Sequence, residues 1–506
     1  MTSSPAPSGD DLHHWDASRA IRAFTTGELA PSELLAATAA RILAVNGDRD
    51  TGINAFTETM LDEAAGAARA ADDAYARARA ARATGTDVVV PPLLGIPIAT
   101  KEKHGIAGRT LEQGLAVSRG HRATANHPIV DRILAAGGII HARTTAPEFS
   151  CATVTHSPMC GITRNPWNLE ASPGGSSGGA GAALAAGMAT LATASDIAGS
   201  TRIPAGFTGT VGYKAPYGRI PGLPPLAADW YRGDGPMART VADTALLAGV
   251  MSGRHPLDHG SWGPEGHRPD AGRDRFGSAV EGVRGLRVGL SVSLGDYPVA
   301  ASVRTAVEAV AGALEAAGAE IVPVRLPWTT ERISRTIFAH FGHILGPAMA
   351  DLTAGTEGEL AAYTAQFIAD AARAAEGVPL HESLALDAVL QHELAVAMAD
   401  VDVLLTPTQA VEMLDADGDY LTGIDVRDPA APGGVRHLGH YWEAHLTSPF
   451  NVANHCPVLS VPAGLSSVGV PIGVQVVVHP GAEGMAFRVG AAVEALVEMP
   501  PFPHLA

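Results

Sequence analysis

The sequence predicts an α/β fold built on a mixed or mostly parallel sheet, and three observations carry that expectation. From residue 96 onward, short apolar strings alternate with segments of helical periodicity. Hydrophobic residues make up 46% of the chain and charged residues 17%, the balance of a protein with a large interior. Between Pro327 and Asp400 the alternation stops and a strand-poor helical stretch intervenes, read as an insertion covering the core. At 506 residues the chain has room for two or three domains or for one large one.

The elements follow in order. Residues 16 to 84 are Ala-rich with helical spacing, as in Ser32 to Leu43. Ile96 to Thr100 reads as a strand, Ile129 to Ala136 as a helix and Ile139 to Arg143 as a strand. Gly178 to Ala194 is about 17 residues of mostly Gly, Ala and Thr. It is too short and too poor in large apolar side chains for a membrane span. A tightly packed helix followed by a strand fits it better. Further strands are expected at Leu286 to Val292, Ile321 to Leu326, Val403 to Thr406, Val458 to Val461 and Val474 to Val478. Helices are expected near Val303 to Ala317 and Ala486 to Val497, and long loops at 252–284 and 411–437.

Charge and cysteine content narrow the function. A net charge of −17 argues against nucleic acid or an anionic membrane as partner, since both need a basic face. Three cysteines, Cys151, Cys160 and Cys456, lack metal-type spacing and read as free thiols in a reducing compartment. Met1 to Asp10 has neither a basic nor an apolar signal region. The expectation is a cytoplasmic protein, and association into a homodimer is compatible with everything above.

Lysine is scarce: Lys101, Lys103 and Lys214 stand against 32 arginines, 35 basic residues less three. Arg cannot release its proton, whereas buried Lys can. The densest motif lies between Ser172 and Pro204: Ser172-Pro-Gly-Gly-Ser176-Ser177-Gly-Gly179, then Asp196-Ile-Ala-Gly-Ser200-Thr-Arg202. Clustered glycines let main-chain amides converge on one space, as an anion site or oxyanion hole requires. Gly175 to Gly179 formally matches G-x-S-x-G, but that elbow needs a strand before it, and Asn165 to Pro173 makes a poor one. A phosphate loop is weaker, with no G-K-[ST] ending. A structural Gly-rich turn with incidental serines is the plain alternative.

These strings resemble the amidase signature family, whose hallmark is G-G-S-S-G-G followed by D-x-G-G-S. The resemblance extends to Gly95 to Glu102 around Lys101, Ala142 to Phe149, Gly212 to Pro216, Val403 to Thr408 and Pro471 to Gln475. It implies a single large domain whose mixed, mostly parallel central sheet is covered by helices on both faces. N-terminal helices would occupy about 10–85, the core about 86–326 and 401–506, and the insertion over the active site about 327–400.

The resemblance also implies an amidase with Ser200 as nucleophile, Ser176 as bridging serine after a cis Gly175–Ser176 bond, and Lys101 as base. The amides of Ile197, Ala198, Gly199 and Ser200 would form the oxyanion hole. Ser177 is then structural, Asp196 ties the loop and Arg202 pairs with a buried carboxylate. Lys214 and Glu148 are landmarks that packing and ion pairing explain, and Lys103 and His104 are expected in solvent or at the site rim. Lys101 can act only when neutral, and moving its pKa from ~10.4 to ~7 disfavours the ammonium by roughly 4–5 kcal/mol. Burial on an apolar strand is the expected cause.

Departures bear on substrate. Ala198 stands where the family has Gly, Asn451 to Pro457 is one residue longer than N-x-x-G-x-P, and Ile203 is not the Gln typical of glutamine-hydrolysing amidotransferase components. That role is therefore the alternative reading. Local strings around Gly161 to Leu169 look more like stand-alone amidases, including hydrolases of cyclic nylon-type oligoamides. Phe341, His340 and His343 of the insertion, with Cys456, are the candidate substrate-pocket residues. They suggest a small-molecule substrate: a neutral, fairly hydrophobic amide, anilide or carbamate. No metal or organic cofactor is implied.

Overall fold

A computed structural model describes residues 11–262, 281–429, 431–500, 502, 503 and 505. The readings made for Met1 to Asp10 and for most of the 252–284 loop fall outside these residues.

Eleven strands form one sheet. In chain order they are β1 (Phe56–Thr59), β2 (Pro97–Lys101), β3 (Ile139–Thr144), β4 (Leu191–Asp196), β5 (Val211–Lys214), β6 (Gly233–Ala238), β7 (Arg287–Leu290), β8 (Glu320–Pro323), β9 (Val403–Pro407), β10 (Val458–Leu465) and β11 (Pro471–Val478). Their spatial order is β1-β3-β2-β4-β6-β5-β10-β11-β9-β7-β8. The expected mixed sheet is present. Parallel pairing occupies two wings, β3-β2-β4 and β9-β7-β8, while the centre and the β1 edge pair antiparallel.

Thirteen helices accompany the sheet among the described residues: α1 (Ala17–Thr26), α2 (Pro31–Val45), α3 (Leu61–Ala83), α4 (Pro128–Ala135), α5 (Gly178–Ala185), α6 (Arg202–Thr208), α7 (Val241–Met251), α8 (Ala301–Ala316), α9 (Thr330–Thr353), α10 (Ala362–Gly377), α11 (Leu380–Ala397), α12 (Pro449–Val452) and α13 (Glu483–Leu496). The strand-poor stretch is thus α9 to α11, with α9 packed along α10. Asp16 caps α1 through the Arg19 amide, and left-handed Gly27 ends it.

Helix α5 explains the run of small residues before β4. Every one of its residues is buried. A Cβ on Gly179 would lie 2.6 Å from the Thr145 nitrogen and 2.7 Å from the Ala55 carbonyl. A side chain at Gly179 would keep the helix from sitting this close to β3, and Ser176 and Ser177 immediately precede its first residue. No helix among the described residues is long and apolar enough to cross a membrane.

The loop expected at 411–437 is in part an antiparallel strand pair, Ile424–Arg427 with Val435–Leu438, held by its own ladder, and three strands of the main sheet also escaped the sequence reading. β1 and β5 are four residues each, and β6 is Gly-Asp-Gly-Pro-Met-Ala. Their pairing comes from neighbouring strands, which overrides weak local preference.

Candidate active site

Lys101 ends β2 and Asp196 ends the adjacent parallel strand β4, so both project from one edge of the sheet. The loop after β4 carries Ser200, and the loop before α5 carries Ser176. No strand precedes Ser176, which removes the nucleophile-elbow reading of Gly175 to Gly179. The Gly175–Ser176 peptide is cis, as the resemblance implies.

The Lys101 side chain is fully buried. Its Nζ lies 2.7 Å from Ser176 Oγ, 2.9 Å from Ser177 Oγ and 3.1 Å from Ser195 Oγ. Burial holds its pKa well below the usual lysine range, and the Lys103 charge pushes the same way, against the opposing pull of Asp234 and Asp196. A neutral amine among three hydroxyls can accept a proton. Ser177 has a direct part in this site, with its hydroxyl on Lys101 and its amide donating to the Ser200 carbonyl at 3.2 Å.

Ser200 is 8% exposed, while Ser176 is fully buried. Among the described residues no hydrogen bond joins the two hydroxyls. Such contacts commonly tighten only when substrate binds.

Asp196 organises the loop that carries Ser200. Its carboxylate accepts from the Gly199 amide at 2.8 Å and the Thr201 amide at 3.3 Å, and pairs with Arg202 at 2.9 and 3.0 Å. Burial alone would raise its pKa, but the Arg202 charge and its hydrogen bonds prevail and hold it at about 2. Arg202 also donates to the Thr447 carbonyl, Gln475 and Asn451. The structural roles expected for both residues hold.

One amide needs reassignment. The Gly199 N–H is committed to Asp196, so of the four expected oxyanion donors, those of Ile197, Ala198 and Ser200 have no acceptor among the described residues. Gly199 has φ +128°, and a Cβ there would overlap the Thr447 hydroxyl. That hydroxyl donates to the Ala198 carbonyl at 2.6 Å, pinning the loop from outside.

Other sequence expectations are corrected. His104 is neither in solvent nor at a rim: it is fully buried between Thr193 and Asp234. Lys103 is half-buried, with its pKa lowered to about 8 by burial and then by Arg232. Glu148 is buried without an ion pair among the described residues and accepts from the Ala361 amide and the Thr364 hydroxyl. Lys214 is buried against Asn454, its pKa lowered to about 7 by burial and by Arg202.

Among the described residues none of the candidate pocket residues is hydrogen-bonded to Lys101, Ser176 or Ser200, and Phe341 and His340 are packed in the interior. Phe341 is fully enclosed by Phe338, Phe367, Trp442 and Tyr231. His340 is buried, stacked on Tyr231 and bonded to Asp229 at 2.8 Å. His343 bonds the Val378 carbonyl at 2.7 Å. Apolar spacing marked these as interior residues of α9 but could not tell packing from pocket. Cys456 lines a cavity of about 600 Å³ together with Trp230, Leu384, Met398 and Asn454. A second cavity of about 410 Å³ is walled by Tyr363, Tyr420 and Tyr441. Neither is lined by Lys or Arg. Ser195 and the His104–Asp234 pair went unnoticed in the sequence; a serine beside Asp196 at a strand end was the one available signal.

The comparisons agree with this geometry. The amidase family model matches residues 33–487. The chain belongs to the amidase signature family. One curated relative of this amidase is a component of the glutamyl-tRNA(Gln) amidotransferase of Mycobacterium bovis (strain BCG / Pasteur 1173P2). The two are 32% identical, over 96% of this chain and 98% of the relative. Among solved structures, a bacterial aryl acylamidase of the amidase signature family superposes with a TM-score of 0.81 at 25% identity, covering 96% of each chain. The 6-aminohexanoate cyclic dimer hydrolase, complexed with substrate, gives 0.77 at 26% identity over 97% of this chain and 98% of the hydrolase. Amidase chemistry, hydrolysis of a C–N bond, thus comes with the family.

Proposed function

We propose that this chain is a stand-alone amidase that cleaves a neutral, fairly hydrophobic amide, anilide or carbamate through an acyl-enzyme on Ser200. The observation that carries this reading is the fully buried Lys101 amine 2.7 Å from Ser176 Oγ. Neutral Lys101 takes the Ser176 proton as Ser176 takes that of Ser200, and Ser200 Oγ adds to the substrate carbonyl. The tetrahedral oxyanion is held by the amides of Ile197, Ala198 and Ser200. Collapse breaks the C–N bond, and the proton returns through Ser176 to the leaving amine. Water then releases the carboxylate by the same relay.

Neither cavity is lined by Lys101, Ser176 or Ser200, so the charge of the substrate rests on the assays below and not on their lining. Residues 327–400 serve in this reading as a wall over the site. The mycobacterial relative favours a second reading, a glutamine-hydrolysing component that works with a partner. A purified single chain assayed against anilides, linear and cyclic amides, carbamates and glutamine separates the two. Turnover of neutral anilides without glutaminase activity supports the first. Glutamine hydrolysis alone, or faster cleavage of anionic than of matched neutral amides, overturns it.

A further inference from the structure

Behind Lys101 lies a buried polar chain that the reaction as drawn does not use. The Lys101 backbone N–H donates to Thr193 Oγ1 at 3.0 Å. The same oxygen lies 2.9 Å from His104 Nδ1, and His104 Nε2 lies 3.0 Å from Asp234 Oδ1. Asp234 also takes Arg232 at 3.0 and 3.2 Å and faces His127 Nε2 at 3.6 Å. Thr193, His104 and Asp234 are buried.

This chain fits one arrangement of protons. A backbone N–H can only donate, so Thr193 Oγ1 is its acceptor and keeps a hydroxyl proton to give to His104 Nδ1. The ring proton then sits on Nε2 and goes to Asp234. A cationic His104 would turn Nδ1–H toward Thr193 and leave the threonine proton without an acceptor, an uncompensated loss in a buried site. Burial favours the neutral ring as well.

The consequence falls on the base. Lys101 is surrounded by Lys103 and Arg232, which disfavour its ammonium, by Asp234 and Asp196, which favour it, and by the hydroxyls of Ser176, Ser177 and Ser195. Burial and the two cations all weaken the amine as a base, and since a base works best with a pKa near the operating pH, the opposing carboxylates act in the useful direction. Resting on the reading of Lys101 as the base, we infer that Thr193, His104 and Asp234 are positioning residues: the chain fixes the end of β2, and the Asp234 carboxylate preserves the basicity of the Lys101 amine.

Two variants test this, each against wild type and with folding checked by thermal melting. Asp234→Asn keeps an acceptor for His104 Nε2 but removes the charge. The acid limb of its kcat/KM profile should move to lower pH by roughly half a unit to one unit. A folded variant with an unmoved limb overturns the inference. Thr193→Val should lower kcat about tenfold or more at unchanged KM, by loosening Lys101, and Thr193→Ser should restore it. Wild-type kcat in Thr193→Val overturns the inference equally, and decides the matter if Asp234→Asn fails to fold. Lys101→Met separates the two layers. If it stays active, the base reading fails; if it is dead while the Asp234→Asn limb stands still, only the positioning chain is lost.

Discussion

Replacing Lys101 by Met removes the amine while nearly keeping the volume, and the structure says what should follow. A lysine that is neutral at pH 7 folds at a cost of roughly 4–5 kcal/mol, the free energy of deprotonating it in water at that pH. Lys101→Met abolishes that cost. Against it stand three hydroxyls, those of Ser176, Ser177 and Ser195, that lose their partner. At about 1–1.5 kcal/mol each, that is ~3–4.5 kcal/mol. The two nearly cancel, so the melting temperature should stay within a few degrees of wild type. Activity should not survive: without a base, both proton transfers are lost, and kcat/KM should fall about ten-thousand-fold, near 5.5 kcal/mol of barrier. The assay is release of a chromogenic aniline, with calorimetry on the same sample. Labelling by a serine-directed phosphonyl fluoride, read by intact mass, should slow in parallel. A folded variant retaining more than about a tenth of wild-type kcat/KM would refute the assignment of Lys101 as base.

Because the active Lys101 is neutral and its pKa is depressed by burial, kcat/KM should rise with pH through that lowered value and then level; a profile that falls from pH 6 to 9 contradicts this. Gly199→Ala forces a Cβ onto the Thr447 hydroxyl at φ +128°. The displaced amides should reduce kcat about 10²–10³-fold, measurable with the same anilide. Asp196→Asn leaves Arg202 buried without its counter-charge and should destabilise the fold by about 3–5 kcal/mol at pH 7 in urea titrations. Asp196 has a depressed pKa of about 2, so its contribution is fully present above the unfolded value near 4 and is lost as pH falls toward 2. The gap between wild type and variant should therefore be constant from pH 5 to 8 and narrow below pH 4.

The alternation of apolar strings located most strands and helices to within a few residues, because β2, β3, β9, β10 and β11 are buried and contain continuous apolar runs. It missed β6, where Gly, Asp and Pro carry no strand signal and pairing with β4 and β5 holds the strand in place. The site divided along similar lines. Ser176, Ser200 and Lys101 stood out as residue types of unusual chemistry in unusual strings. Ser177, Ser195 and Thr193 are ordinary hydroxyls, and nothing in their local sequence says that they gather around one lysine.

The sequence by itself determined the residue types the reaction needs, and the small residues of α5 that let a helix sit against the sheet. Those are local properties: a lysine can be deprotonated, and a glycine leaves room. Tertiary structure alone decided the rest. It lowered the pKa of Lys101 by burying it, with the Lys103 charge acting the same way, and it gave the Gly199 amide to Asp196. It also turned His340 and Phe341 into packing. Charge state, hydrogen-bond partner and exposure depend on what lies across a gap from residues distant in the chain, and no local pattern records that.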